Sequence, residues 1–291
     1  PEDIEPDDRS RGVAIPRLGK LLWLLLERAG SNVLRELPPS GRRAGSISEE
    51  MRHLKRAAQG LEIAPGIRLS DHLYTNAIDY EKRRVHARLR AAAETWPPEF
   101  APQAFLLLEA SEVTSSEVVT GLGTVEIRNR IQHTGIIRAE VEPPFLVLAV
   151  VGEHSRREGY LALRAYAQPV FSGNQFVPAE RDHDRDVLRA LQQAQYELRR
   201  LGVRMAVKKV LFDITLAAGS ARPDFLVALL DEHSGVECKF ALQILQSDDA
   251  DYLELRSIER ERLGQAGLVV SMAVSSVTPE AIISEARRIL E

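Results

Sequence analysis

RPDFLVALLDEHSGVECK, residues 222–239, is the stretch that decides the reading of this chain. Two apolar runs flank DEHSG (231–235), a composition that favours a turn. The stretch therefore reads as a β-hairpin. Asp224 begins one strand, and Glu237 is expected near the end of the next. Antiparallel pairing is then expected to bring Asp224 and Glu237 to the same end. Residues two apart on a strand share a face. Glu237 and Lys239 should stand side by side, with Cys238 turned to the apolar face. Two carboxylates at close range repel, and a divalent cation removes that cost. Such a cation lowers the pKa of bound water and stabilises charge on a phosphate, and a nearby lysine adds to that stabilisation.

Working outward, residues 182–201 have helical spacing, with Val187, Leu188, Leu191, Ala194 and Leu198 on one face. Residues 207–216, 225–230 and 236–240 read as three strands. Residues 249–263 read as a charged helix and 268–274 as a strand. Thr278 and Pro279 open a last helix. Upstream, 18–29, 49–59 (capped by Ser48) and 78–93 read as helices, the last carrying Lys82, Arg83, Arg84, Arg88 and Arg90. Arg42 and Arg43 lie in a Pro- and Gly-rich loop. From about 103 the texture changes to short strands: 104–108, 118–119, 125–130, 135–140, 145–151 and 161–166. The expected fold is mixed α+β or α/β in three regions. These are a basic helical domain (1–100), a β-rich middle (101–180) and a C-terminal α-β-β-β-α-β core (181–291).

The chain has 291 residues, 44% of them hydrophobic and 27% charged, with a net charge of −4. That balance excludes collagen, coiled-coil arrays and wholesale disorder. Apolar runs such as 21–26 and 145–151 are far short of the ~20 residues of a membrane span. The single cysteine, Cys238, has no intramolecular disulfide partner, and a reducing cytosol is the expected compartment. Charge is unevenly spread. Residues 1–8 hold five acids and read as an acidic tail. Residues 9–95 hold 17 Lys and Arg against nine Asp and Glu. Such asymmetry can create a basic, DNA-docking surface on an acidic chain. The seven histidines show no metal-binding spacing, and neither a P-loop nor a G-x-S-x-G elbow is present.

Pro223-Asp224 followed by Glu237-Cys238-Lys239, within this order of elements, resembles the PD-(D/E)xK (restriction-endonuclease-like) nuclease superfamily over about residues 182–275. The resemblance implies Mg²⁺-dependent hydrolysis of phosphodiesters, most often in DNA, with Mn²⁺ as a substitute ion. It makes Asp224, Glu237 and the backbone carbonyl of Cys238 metal ligands and Lys239 the catalytic lysine. It also implies an acid from the first core helix, for which Asp184 is chosen, and a supporting polar residue after the lysine, Gln243. Lys208 or Lys209 and Arg222 are candidate nucleic-acid contacts. A protein partner or homodimer accords with cutting two strands. The alternative is a non-catalytic nucleic-acid- or protein-binding module on a nuclease-like fold. Separately, LLWLLLERAG, the GRR loop, QFVPAE and RPDFLVALLD resemble an uncharacterised bacterial family of plasmids and integrative elements across residues 15–240, which implies mobile-element DNA biology.

Overall fold

The computed structural model describes residues 16–37, 45–133, 141–155, 157–217 and 219–291. The acidic tail, the Arg42–Arg43 loop and the expected strand at 135–140 lie outside them. The chain divides into two compact units, and each is described by itself.

The first unit in chain order comprises residues 14–31 and 45–180. Helix α1 (Arg17–Ala29) buries Leu22, Trp23, Leu25 and Leu26 and stops at Gly30, whose φ of 70° suits glycine. Helix α2 (Ile47–Ala57) is capped by Ser46, not Ser48, through a hydrogen bond from the Glu49 amide. The helix expected over 78–93 is two, α3 (Ala77–Glu81) and α4 (Arg84–Ala93). They break at Arg83, which has a φ of 53°. The hydroxyl of Tyr80, in α3, accepts a hydrogen bond from the Ala162 amide, which ties that helix to a strand.

A six-stranded sheet runs in the order Gln175–Pro178, Gly159–Ser172, Phe145–Ser155, Gln103–Ala110 and Leu73–Tyr74, with Arg130–His133 paired parallel to Gly159–Ser172. The central strands are apolar along most of their length, as expected of strands covered on both faces. Val85 and Leu89 of α4 join Leu106, Leu108, Val147 and Ala149 in one core cluster. Helix α1 contacts the Phe145 and Gly159 strands. Its Trp23 Nε1 donates to Gln168 Oε1 at 2.8 Å, while Gln168 Nε2 donates to the carbonyls of Pro169 and Ala179. Residue 100 is thus no boundary between units, because the basic helices pack on the β-rich sheet.

Among the described residues, the second unit comprises those in 32–37 and 181–291. Helix α5 (Asp182–Arg200) buries the five apolar residues expected of it. The sheet order is Val33–Leu34, Val203–Lys209, Phe225–Asp231, Glu237–Leu245 and Leu268–Ala273, antiparallel except for the last pair. The expected α-β-β-β-α-β order holds, with helices α6 (Ala250–Gly264) and α7 (Pro279–Leu290). Val33–Leu34 is an edge strand contributed from far upstream. Asn32 holds it by accepting the Lys209 amide at its backbone carbonyl and by donating Nδ2–H to the Lys209 carbonyl. The strand expected over 207–216 stops at Lys209, and Ile214–Leu216 pairs instead with Gly219–Ala221.

Candidate functional site

The hairpin forms, but its register differs from the one expected. Its second strand starts at Glu237 and runs through the apolar residues to Leu245. Phe225 pairs with Leu242, and Leu230 pairs with Glu237. An antiparallel hairpin sets the start of one strand beside the end of the other. Asp224 therefore lies level with Gln243, while Glu237 lies at the turn. Six residues of strand, about 20 Å, separate the two levels. The expected grouping of Asp224 with Glu237, Cys238 and Lys239 is corrected on this ground. Glu237 and Lys239 do share a face, 2.9 Å apart, but both are exposed. The Glu237 carboxylate raises the Lys239 pKa, the hydrogen bond being the largest cause. Cys238 is half-buried, with Sγ 3.7 Å from the Ile289 carbonyl.

The environment of Asp224 is built by three elements. Asp224 is 4% exposed. Its Oδ2 accepts the Ile244 amide at 2.8 Å and pairs with Arg256 Nη2 at 2.5 Å. Arg256 comes from α6, where Tyr252, Arg256, Glu259 and Leu263 fall at helical spacing on the inward stripe. Its other nitrogen, Nη1, meets Glu259 at 2.6 Å. Burial is the largest influence on Arg256 and works against its charge, but Asp224 and Glu259 overcome it and raise its pKa. Gln243 is 1% exposed. It donates to the Arg256 carbonyl and to Glu259, and accepts from Ser271 Oγ at 3.0 Å.

Asp184 is buried at the first turn of α5, where Oδ2 accepts the Arg181 amide. Its Oδ1 lies 3.5 Å from Gln246 Nε2. The Gln246 amide donates to Tyr252 Oη, which in turn donates to the Ile244 carbonyl. A polar network thus links Asp184, Gln246, Tyr252, Ile244 and Asp224. Arg222 belongs to its margin, with its amide on Glu259 Oε1 at 2.7 Å and its guanidinium on the Leu211 carbonyl. Lys208 and Lys209 point to opposite sides, as the strand requires. Lys209 is buried, with Nζ 4.7 Å from the Phe225 ring centre, and Lys208 is half-buried.

Of the residues expected at the site, Asp184, Asp224 and Gln243 belong to one neighbourhood, and Glu237, Cys238 and Lys239 do not. Arg256, Glu259 and Gln246 were not anticipated. The signal for the first two was a charged pair, Arg256 and Glu259, on the stripe that α6 buries. A divalent cation does not fit the resulting site. The Asp224 carboxylate is enclosed and already paired with a guanidinium, which it shares with Glu259. Level with Asp224 stands an amide, not a second carboxylate. Among the described residues, no group of three or more His, Cys, Asp or Glu is placed to hold a metal ion. The Mg²⁺ or Mn²⁺ site expected from Asp224, Glu237, Cys238 and Asp184 is corrected accordingly.

Comparison with known proteins gives two family matches. Residues 1–170 match the model of a domain of unknown function (DUF8535). Residues 180–289 match the model of a restriction endonuclease-like C-terminal domain. No curated protein and no solved structure matches the chain.

Proposed function

The chain belongs to the DUF8535 family, and from the Asp224 site in its restriction endonuclease-like C-terminal domain we propose a protein that uses a nuclease-like fold to bind rather than to cut. The observation that carries this is the buried Asp224–Arg256 ion pair, with Gln243 level with the aspartate. Metal-assisted phosphodiester hydrolysis needs an open, oxygen-lined site in which a cation can hold water and phosphate. Here a fixed guanidinium meets the same electrostatic demand from within the chain. Nucleic acid, DNA foremost, is the partner this reading favours, in keeping with the nuclease-like fold and the excess of basic residues over 9–95. Work on a plasmid or integrative element is the setting suggested by the wider resemblance.

A metal-dependent nuclease is the second reading. One feature favours it: the carboxylates of Asp224 and Glu259 converge on a single cation. It requires Arg256 to leave. The test is incubation of supercoiled plasmid and labelled single strands with Mg²⁺, Mn²⁺ or EDTA, with wild type beside Glu237→Ala. The expected result is no cutting above the EDTA control, with DNA retention unaffected by EDTA. Metal-dependent cutting by both proteins would establish the second reading at Asp224. Cutting lost in Glu237→Ala would reinstate the turn-proximal residues.

A further inference from the structure

A charged concavity lies in the other unit. A cleft of ≈ 1100 Å³ opens between α2 and α4. Arg52, Lys55 and Arg56 line it from α2, and Arg84 and Arg88 from α4. Their spacings, three and four residues, put each set on one helix face. Met51 and Leu54 of α2 and Val85 and Leu89 of α4 are buried. All five cations are exposed. Two carboxylates, Asp71 and Asp79, share the lining. Asp79 pairs with Arg84 at 3.0 Å, and Asp71 accepts from Ser70 Oγ. Among the described residues, Arg52, Lys55, Arg56 and Arg88 have no ion-pair partner. Tyr74 lies in the wall, with the Arg88 guanidinium 5.8 Å from its ring centre. Its buried hydroxyl has no hydrogen-bond partner.

We propose that this cleft is a nucleic-acid-binding surface in which Arg52, Lys55, Arg56 and Arg88 contact the phosphodiester backbone. Like charges on two facing helices cost repulsion unless an anion lies between them. A chain of phosphates supplies successive anions at a spacing that two basic rows can follow, whereas one small anion would satisfy only part of the set. Backbone contacts position a nucleic acid without reading its sequence. No base preference is therefore built into these four side chains. The inference is independent of whether the C-terminal domain cuts.

The test is fluorescence anisotropy of the full chain with a labelled 20-mer, single- and double-stranded, in EDTA throughout. Four phosphate contacts give a log–log salt slope of about −3.6 on duplex and about −2.8 on single strands. Between 50 and 200 mM salt, the duplex value corresponds to a loss of roughly 150-fold in affinity. The variant Arg52→Gln/Lys55→Gln/Arg56→Gln/Arg88→Gln should lose that slope and most of the binding, with unchanged thermal melting. A control with equal charge loss outside the cleft, Arg68→Gln/Lys82→Gln/Arg90→Gln/Arg157→Gln, should keep both. Equal weakening by the two variants would overturn the proposal, as would no binding at 50 mM salt. Displacement of the 20-mer by low-millimolar inorganic phosphate would assign the cleft to small anions instead. Tighter binding of polyglutamate than of either nucleic acid would assign it to an acidic protein.

Discussion

Replacing Arg256 with methionine tests whether Asp224 is a structural or a chemical residue. Both side chains of the pair are under one-tenth exposed. Removing one member of such a buried pair typically costs 3–5 kcal/mol. Asp224 would keep the Ile244 amide, and Glu259 would keep the Arg222 amide, so the lower half of that range, about 3–4 kcal/mol, is expected. For a domain of this size that is a drop of roughly 10–20 °C in melting temperature. Urea denaturation followed by circular dichroism measures it. The double variant Asp224→Asn/Arg256→Met removes both charges while leaving an oxygen for the Ile244 amide. It should recover most of the loss, because the penalty belongs to the charge that has lost Arg256. Acidity gives a second readout. In Arg256→Met, Asp224 loses the guanidinium that favours its charged form, so its folded-state pKa rises relative to wild type and the folded state binds the proton more tightly than it does in wild type. Relative to wild type, the variant should therefore regain stability as pH falls through that folded pKa and lose it as pH rises. An Arg256→Met protein within about 1 kcal/mol of wild type, flat with pH, would refute the reasoning.

Other consequences follow from the same geometry. Glu237→Ala and Lys239→Ala alter an exposed pair at the hairpin turn, and both should leave the melting temperature and DNA binding unchanged in a thermal-shift and anisotropy series. Gln168→Leu strips a buried acceptor from Trp23 and donors from two carbonyls, and should cost about 2–3 kcal/mol in urea denaturation. Burial lowers the pKa of His72, His86 and His133, all in the sheet-and-helix unit. Their folded values lie below the unfolded ~6.5. The stability they contribute is thus whole above that pH and is lost as pH falls toward the folded values. The urea midpoint should fall between pH 7.5 and 5.5, and His133→Gln should reduce the fall. Glu109 acts in the opposite sense, since burial raises its pKa and its deprotonation costs stability as pH rises.

Much of the C-terminal unit was legible because its signals are local. The apolar face of α5 and the Thr278 start of α7 rest on residues within one or two turns. The three central strands of the β-rich sheet, expected over 104–108, 145–151 and 161–166, were legible through their composition, whereas Leu73–Tyr74 and Gln175–Pro178 were not. What failed was non-local. The Val33–Leu34 strand is claimed by a partner, Val203–Lys209, about 170 residues away, and nothing in its own composition names that partner. The division at residue 100 followed a change of texture, but helices and sheet bury each other's apolar faces and form one unit. The break at Arg83 interrupts helical spacing next to Tyr80, whose hydroxyl accepts the Ala162 amide, a contact 82 residues long.

The site was misread for a reason that sits in the strand itself. E-x-K is a string, but a strand has a register, and register is set by the apolar run that must face the core. Phe240, Ala241, Leu242 and Ile244 are all buried, so the strand extends well past Lys239 and carries the level of Asp224 to Gln243. Glu237 and Lys239 are thereby left at the wet end, where they are free to satisfy each other. Asp224 is left at the dry end and needs a cation. A divalent metal and a guanidinium are two answers to that need, and they are not equivalent. A metal keeps open positions for water and substrate, whereas Arg256 arrives with its donors already directed at Asp224 and Glu259. Once α6 delivers that guanidinium, the aspartate ties strand to helix. The charged pair on the buried stripe of α6 is therefore the more informative motif of the domain.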